Sequence, residues 1–173
     1  MARQGIEPFP ARRNGRWALG KAKPMKPLEI RPVGPGDLEV LTRLAEEFHA
    51  EDGHVLDAGG RRALAAIAGG EALARAWLFE LEGRALGYGV LTLGFSVEYG
   101  GRDGFIDDLY LAPEARGRGL GRQATGFLEA EARALGIQAL HLEVGAENAR
   151  ALALYRHSGF RDTGRRLMSK RLV

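Results

Sequence analysis

The sequence predicts an α/β protein, one mixed sheet flanked by helices. Two observations predict it. Strand-like and helical runs follow one another in the order β-α-α-β-β-β-α-β-α-β. A glycine-rich basic turn, Arg116-Gly117-Arg118-Gly119-Leu120-Gly121, also lies between a strand-like run and a helical one. The length of 173 residues fits one domain with enough chain for a hydrophobic core.

Leu28 to Val33 alternates and reads as the first strand. Pro35-Gly36-Asp37 opens a helix in which Leu38, Leu41, Leu44, Ala45 and Phe48 share a face. An alanine-rich helix spans Asp57 to Ala68. Strands follow at Ala76–Leu81 and Leu86–Tyr99, joined by a tight turn at Glu82-Gly83-Arg84. Gly100 to Gly104 turns the chain into a strand over Phe105–Leu111, and Ala112-Pro113 breaks it. After the glycine-rich turn, Leu120, Ala124, Phe127, Leu128, Ala134 and Leu135 keep helical spacing until Gly136 stops them. A strand at Ala139–Val144, a helix at Asn148–His157 and a last strand at Arg165–Leu172 complete the order.

Composition sets limits. No apolar run approaches 18 residues, so no membrane span is expected. The N-terminus lacks the apolar core of a secretory signal, and a cytoplasmic protein is expected. Without cysteine there is no disulfide, no thiolate metal site and no thiol to carry an acyl group. The net charge of +3 divides unevenly. Residues 1–27 hold Arg3, Arg12, Arg13, Arg16, Lys21, Lys23 and Lys26 against Glu7 alone. Removing these from the totals of 25 and 22 leaves 18 basic and 21 acidic residues in 28–173, a mildly acidic domain of net −3.

The basic segment 1–27 has no apolar period and reads as a disordered extension. An anionic-surface or nucleic-acid arm, a weak targeting segment and residues ahead of a natural start at Met25 are the three readings of it. The start of patterned sequence at Leu28 favours the last. The basic balance is then a property of the extension, and no nucleic acid is expected as a partner of the domain.

Strand, glycine-rich turn and helix offer free backbone N–H groups and a helix dipole to phosphate oxygens. Glycine permits close approach, and the arginines add charge-assisted donors. A P-loop is excluded because Gly121 is followed by Arg122-Gln123 rather than Lys-Ser/Thr. A dinucleotide fingerprint counted from Gly117 needs glycine where Arg122 stands. Downstream, Asn148, Ala151, Leu152 and Tyr155 share one helix face, ahead of Gly159-Phe160. Taken alone, Asn148 reads as a helix cap and Tyr155 as core.

With these two motifs in this order, the chain resembles the GCN5-related N-acetyltransferase (GNAT) superfamily. Arg116, Gly119 and Gly121 match its Arg/Gln-x-x-Gly-x-Gly/Ala motif. Asn148, Ala151, Tyr155, Gly159 and Phe160 match its second signature. The resemblance covers roughly residues 28 to 172 and is densest from 105 to 160. It implies a mostly antiparallel sheet that splays between the two cofactor-binding strands. It also implies that acetyl-CoA is the co-substrate, without a metal. Its pyrophosphate would sit on Arg116, Gly117, Arg118, Gly119, Leu120, Gly121 and Arg122, and its pantetheine along the backbone of Leu109, Tyr110 and Leu111. The Leu109 N–H would face the thioester oxygen. Asn148 would cap its helix and bond the cofactor, and Tyr155 would protonate the departing thiolate.

The acceptor amine must lose a proton, and Asp107 and Asp108 are the candidates to take it. As neighbours in a strand they point to opposite faces, so one would face the site. Glu98 and Tyr99 come next. Glu46, Glu47, Glu51 and Asp52 would add acidity suited to a cationic amine. His49 and His54 lack a third ligand and are not read as a metal site. The expected activity is N-acetylation of a small-molecule amine by direct transfer, and a homodimer is compatible with the superfamily. An acyl-CoA-binding sensor of the same fold is the alternative.

Overall fold

The sheet forms in chain order. The computed structural model describes residues 28–172, so the expected extension 1–27 lies outside the described residues. The strands are β1 (Glu29–Pro32), β2 (Ala74–Leu81), β3 (Arg84–Ser96), β4 (Gly101–Leu111) and β5 (Ala139–Leu142). They lie side by side as β1-β2-β3-β4-β5. All neighbours are antiparallel except β4 and β5, which run parallel. The helices are α1 (Leu38–Glu51), α2 (Ala58–Ala68), α3 (Leu120–Ala134) and α4 (Ala149–His157).

Each element has a local cause. Arg31 of β1 donates to Asp37 at 2.8 and 2.9 Å and to Glu80 of β2 at 2.8 Å, fixing the entry to α1 against the sheet. The Asp57 side chain caps α2 by accepting from the Gly60 N–H at 2.9 Å. The β2–β3 turn has positive φ at Glu82 (55°) and Gly83 (74°), the twist a two-residue hairpin favours.

Two cores form, one on each face. Leu41, Leu44 and Ala45 of α1 and Leu64 of α2 pack with Leu78, Tyr88, Val90 and Tyr110. Ala124, Leu128 and Ala132 of α3 pack on the opposite face with Trp77, Phe79, Leu91 and Ile106. Full burial of each leucine contributes about 2 kcal/mol.

Several expectations need correction. Gly101–Gly104 belongs to β4 rather than to a turn, because Gly101 pairs with Ser96 and the chain reverses at Val97–Gly100 instead. The fifth strand ends at Leu142, two residues early. No strand forms over Arg165–Leu172. That stretch has four Arg and Lys, and its apolar Leu167 and Met168 are adjacent, so a strand would send them to opposite faces. Instead Leu167, Met168 and Leu172 are exposed, and ion pairs hold the segment through Arg165–Glu98 (2.7 Å) and Arg171–Asp57 (3.6 Å).

Candidate active site

The sheet opens where β4 outruns β5. Their pairing ends at Ile106 and Leu142, while β4 continues through Asp107–Leu111. Glu143, exposed, is the first residue past the parting. The expected splay beside Leu109, Tyr110 and Leu111 is therefore present in the strand register.

From Leu111 the chain makes a short 3-10 turn over Pro113–Ala115 and enters the glycine-rich turn. Gly117 (φ 75°) and Gly119 (φ 74°) are both left-handed, a conformation that disfavours any side chain with a Cβ. Gly119 is the N-cap of α3 and supplies no side-chain cap, so the first N–H groups of the helix keep their donor capacity at the turn. A Cβ on Gly121 would lie 3.2 Å from Leu154, so this glycine lets α4 approach α3. The buried Thr125 hydroxyl donates to the Gly121 carbonyl at 2.9 Å and steadies the first turn.

The arginines of this turn divide. Arg118 and Arg122 are exposed. Arg116 is turned toward α1 instead. Its Nε donates to the Leu111 carbonyl at 2.6 Å, and Nη2 donates to the two Glu51 oxygens at 2.8 and 2.6 Å. Its guanidinium carbon stands 5.5 Å from the Tyr110 ring centroid.

On α4, the Asn148 side chain accepts from the Ala151 N–H at 3.0 Å, the cap its position predicts. Tyr155 packs edge-on against Phe160 at 5.8 Å. Burial raises its hydroxyl pKa, which keeps it protonated at neutral pH.

At the parting, simple alternation fails. Val90 pairs with Asp108 and Leu91 with Ile106, which leaves Asp107 as the extra residue of a β-bulge. Ile106 accordingly packs on the α3 side, whereas Tyr110 packs on the α1 side. The bulge breaks the regular alternation between Ile106 and Asp108, and the two aspartates differ in their surroundings. Asp108 is half-buried and accepts from the buried Tyr88 hydroxyl at 2.8 Å. Asp107 is exposed. Burial pushes the Asp108 carboxyl above its ordinary range; the Asp107 charge adds to this, while the Tyr88 bond and His49 oppose it.

The end of α1 closes this region. Phe48 contacts the Tyr88 and Tyr110 rings at 6.4 and 5.8 Å. The Tyr110 hydroxyl donates to Glu47 at 3.3 Å and lies 3.5 Å from Glu51. Burial and the Glu51 and Glu47 charges push its pKa up to about 12. Of the secondary candidates, Glu98 is paired with Arg165 and Tyr99 lies against His141, at the far end of β4. The Tyr88–Asp108 bond and the Arg116–Glu51 pair are contacts that sequence reading missed. Nothing local in the sequence marks them.

Known proteins resemble this chain in sequence and fold. The acetyltransferase (GNAT) family model matches residues 41–160. The IAA acetyltransferase of Azospirillum brasilense is 34% identical over 128 residues, 73% of this chain and 76% of that protein. The thialysine N-epsilon-acetyltransferase of Bos taurus is 34% identical over 77 residues, 44% of this chain and 45% of that protein. An integron cassette protein from a salt-marsh metagenome has a crystal structure that superposes with a TM-score of 0.74 at 39% identity, over 83% of this chain and 90% of that one.

Proposed function

The chain belongs to the acetyltransferase (GNAT) family, and from that premise we propose that it moves the acetyl group of acetyl-CoA directly to the primary amine of a small molecule. The observation that carries this reading is the parting of β4 from β5 past Ile106 and Leu142, with the glycine-rich turn at one end and the Tyr88–Asp108 pair beside it. The turn suits a pyrophosphate: left-handed glycines, uncapped helix amides and the exposed Arg118 and Arg122 supply donors without side-chain obstruction. The edge of Leu109–Leu111 away from β3, which β5 does not reach, suits an extended pantetheine.

Asp108, rather than Asp107, is the carboxylate that takes the amine proton, directly or through water. Its carboxyl is the half-buried one, held by Tyr88, and burial raises its pKa toward the working pH, where a base works best. The freed amine nitrogen attacks the thioester carbonyl, and the Leu109 N–H stabilises the oxyanion. The carbon–sulfur bond then breaks, and Tyr155 gives its proton to the thiolate. No cysteine is available for an acyl-enzyme, which fits direct transfer.

Tyr155→Phe tests the reading. Turnover is expected to fall at least tenfold while acetyl-CoA binding, measured by calorimetry, changes little. Unchanged turnover removes Tyr155 from the chemistry. Wild-type protein that binds acetyl-CoA yet releases no CoA thiol with a panel of amines is a sensor, not an enzyme.

A further inference from the structure

On the same sheet face as Asp108 lies a second group of side chains that the transfer chemistry leaves idle. Ile106 faces α3, so Phe105 faces the α1 side, as does Asp108 through its bond to Tyr88. Phe105 pairs with His141 of β5, and their rings stand 6.5 Å apart. Tyr99 folds back from the β3–β4 turn to bring its ring 5.1 Å from the same imidazole. Asp103 lies 3.7 Å from His141 Nε2, and it lies flat over β3 because Gly94 has no side chain; a Cβ there would fall 2.5 Å from its Oδ1. The group is open to solvent, with Tyr99 39% exposed and the His141 and Asp103 side chains 29% and 24% exposed. Glu98 closes its edge, with its charge paired to Arg165.

The Tyr99 and Phe105 rings beside the Asp103 carboxylate suit an organic cation, which gains from the ring quadrupoles and from the carboxylate together. Phe105 and Asp108 pair with Thr92 and Val90, two residues apart on β3, so the bulge leaves about 7 Å between them along the sheet, with His141 beside Phe105 on β5. Resting on the acetyltransferase reading, we propose that Tyr99, Asp103, Phe105 and His141 form an acceptor subsite for a second, distal cationic group, so that the substrate is an extended diamine or polyamine. The amine that reacts lies at Asp108, and the distal ammonium lies against the rings and Asp103. A monoamine of equal length forfeits the second contact.

The test compares hexamethylenediamine with hexylamine, which differ only in the distal ammonium. Wild-type kcat/KM is expected to favour the diamine about tenfold, and Asp103→Asn and Tyr99→Ala are each expected to pull that ratio toward one. Acetyl-CoA binding by each variant serves as the check on folding. Equal kcat/KM for the two amines, or a ratio that neither substitution moves, overturns the subsite. Titration of the diamine while following the His141 imidazole resonances by NMR reads the subsite without turnover. Resonances that move when no amine is acetylated keep the subsite and defeat the acetyltransferase reading. Resonances that stay still defeat the subsite.

Discussion

The glycine-rich turn after β4 and the bulge within it are built on different principles. At the glycine-rich turn the proposed contacts come from main chain, and the residues that matter are those without side chains: Gly117 and Gly119 are left-handed, and Gly121 admits Leu154. At the bulge everything rests on side chains from distant strands and helices, with Tyr88 holding Asp108 and with Glu47 and Glu51 meeting Tyr110. The first arrangement depends on few side chains, which suits the proposed seat of an invariant cofactor. The second changes its chemistry with one substitution, which suits the part of a site that must distinguish acceptors. Arg116 is where the two meet, since it belongs to the turn in sequence and to α1 in contact.

This contrast is open to test, and the largest effect is expected at the bulge. Asp108→Asn is expected to lower kcat/KM by about a hundredfold or more, the range for loss of a general base. The wild-type rate is expected to fall as pH drops through the Asp108 pKa, which lies above the ordinary carboxylate range, and the variant to lack that acid limb. An acid limb that survives in the variant assigns the proton elsewhere. Stability carries the matching sign. A pKa raised in the folded state means the folded chain binds that proton more tightly, so wild-type stability declines as pH rises from about 4 through the folded pKa. Thermal melts should show that decline in the wild type and less of it in Asp108→Asn.

At the turn, Gly119→Val forces a branched side chain into a left-handed conformation that costs about 1–2 kcal/mol even for an unbranched one. Acetyl-CoA affinity should fall at least tenfold, while the acceptor KM moves far less. Parallel losses in both would mean that the turn and the bulge are not separable. The smallest effect belongs to the junction. Glu51→Gln removes the charge opposite Arg116, but these side chains are 40% and 30% exposed, so screening limits the pair to less than about 1 kcal/mol. A slightly lower Tm that converges with wild type at high salt is expected, with both KM values within about threefold. A large change in acetyl-CoA binding would make Arg116 part of the cofactor contact rather than a bracket to α1.

What lies within one turn of chain was legible in the sequence alone. The helical stripe of α1, the glycine stop after α3, the Asn148 cap and the glycines of the basic turn are local requirements, each met by residues a few positions apart. The family itself was legible there too, because its motifs are short and ordered. Tertiary structure alone decided the rest. The bulge at Asp107 exists only in the register between β3 and β4, and it overrides the alternation that residue order implies. Tyr88 meets Asp108 across 20 residues, Tyr110 meets Glu47 across 63, and Arg116 meets Glu51 across 65. The last strand failed as an expectation for the same reason: a strand needs a partner edge and one apolar face, and Arg165–Leu172 has neither among the described residues. Local propensity and motif spacing therefore reach the glycine-rich turn, while the proposed acceptor side arises from contacts that folding makes between residues far apart in the chain.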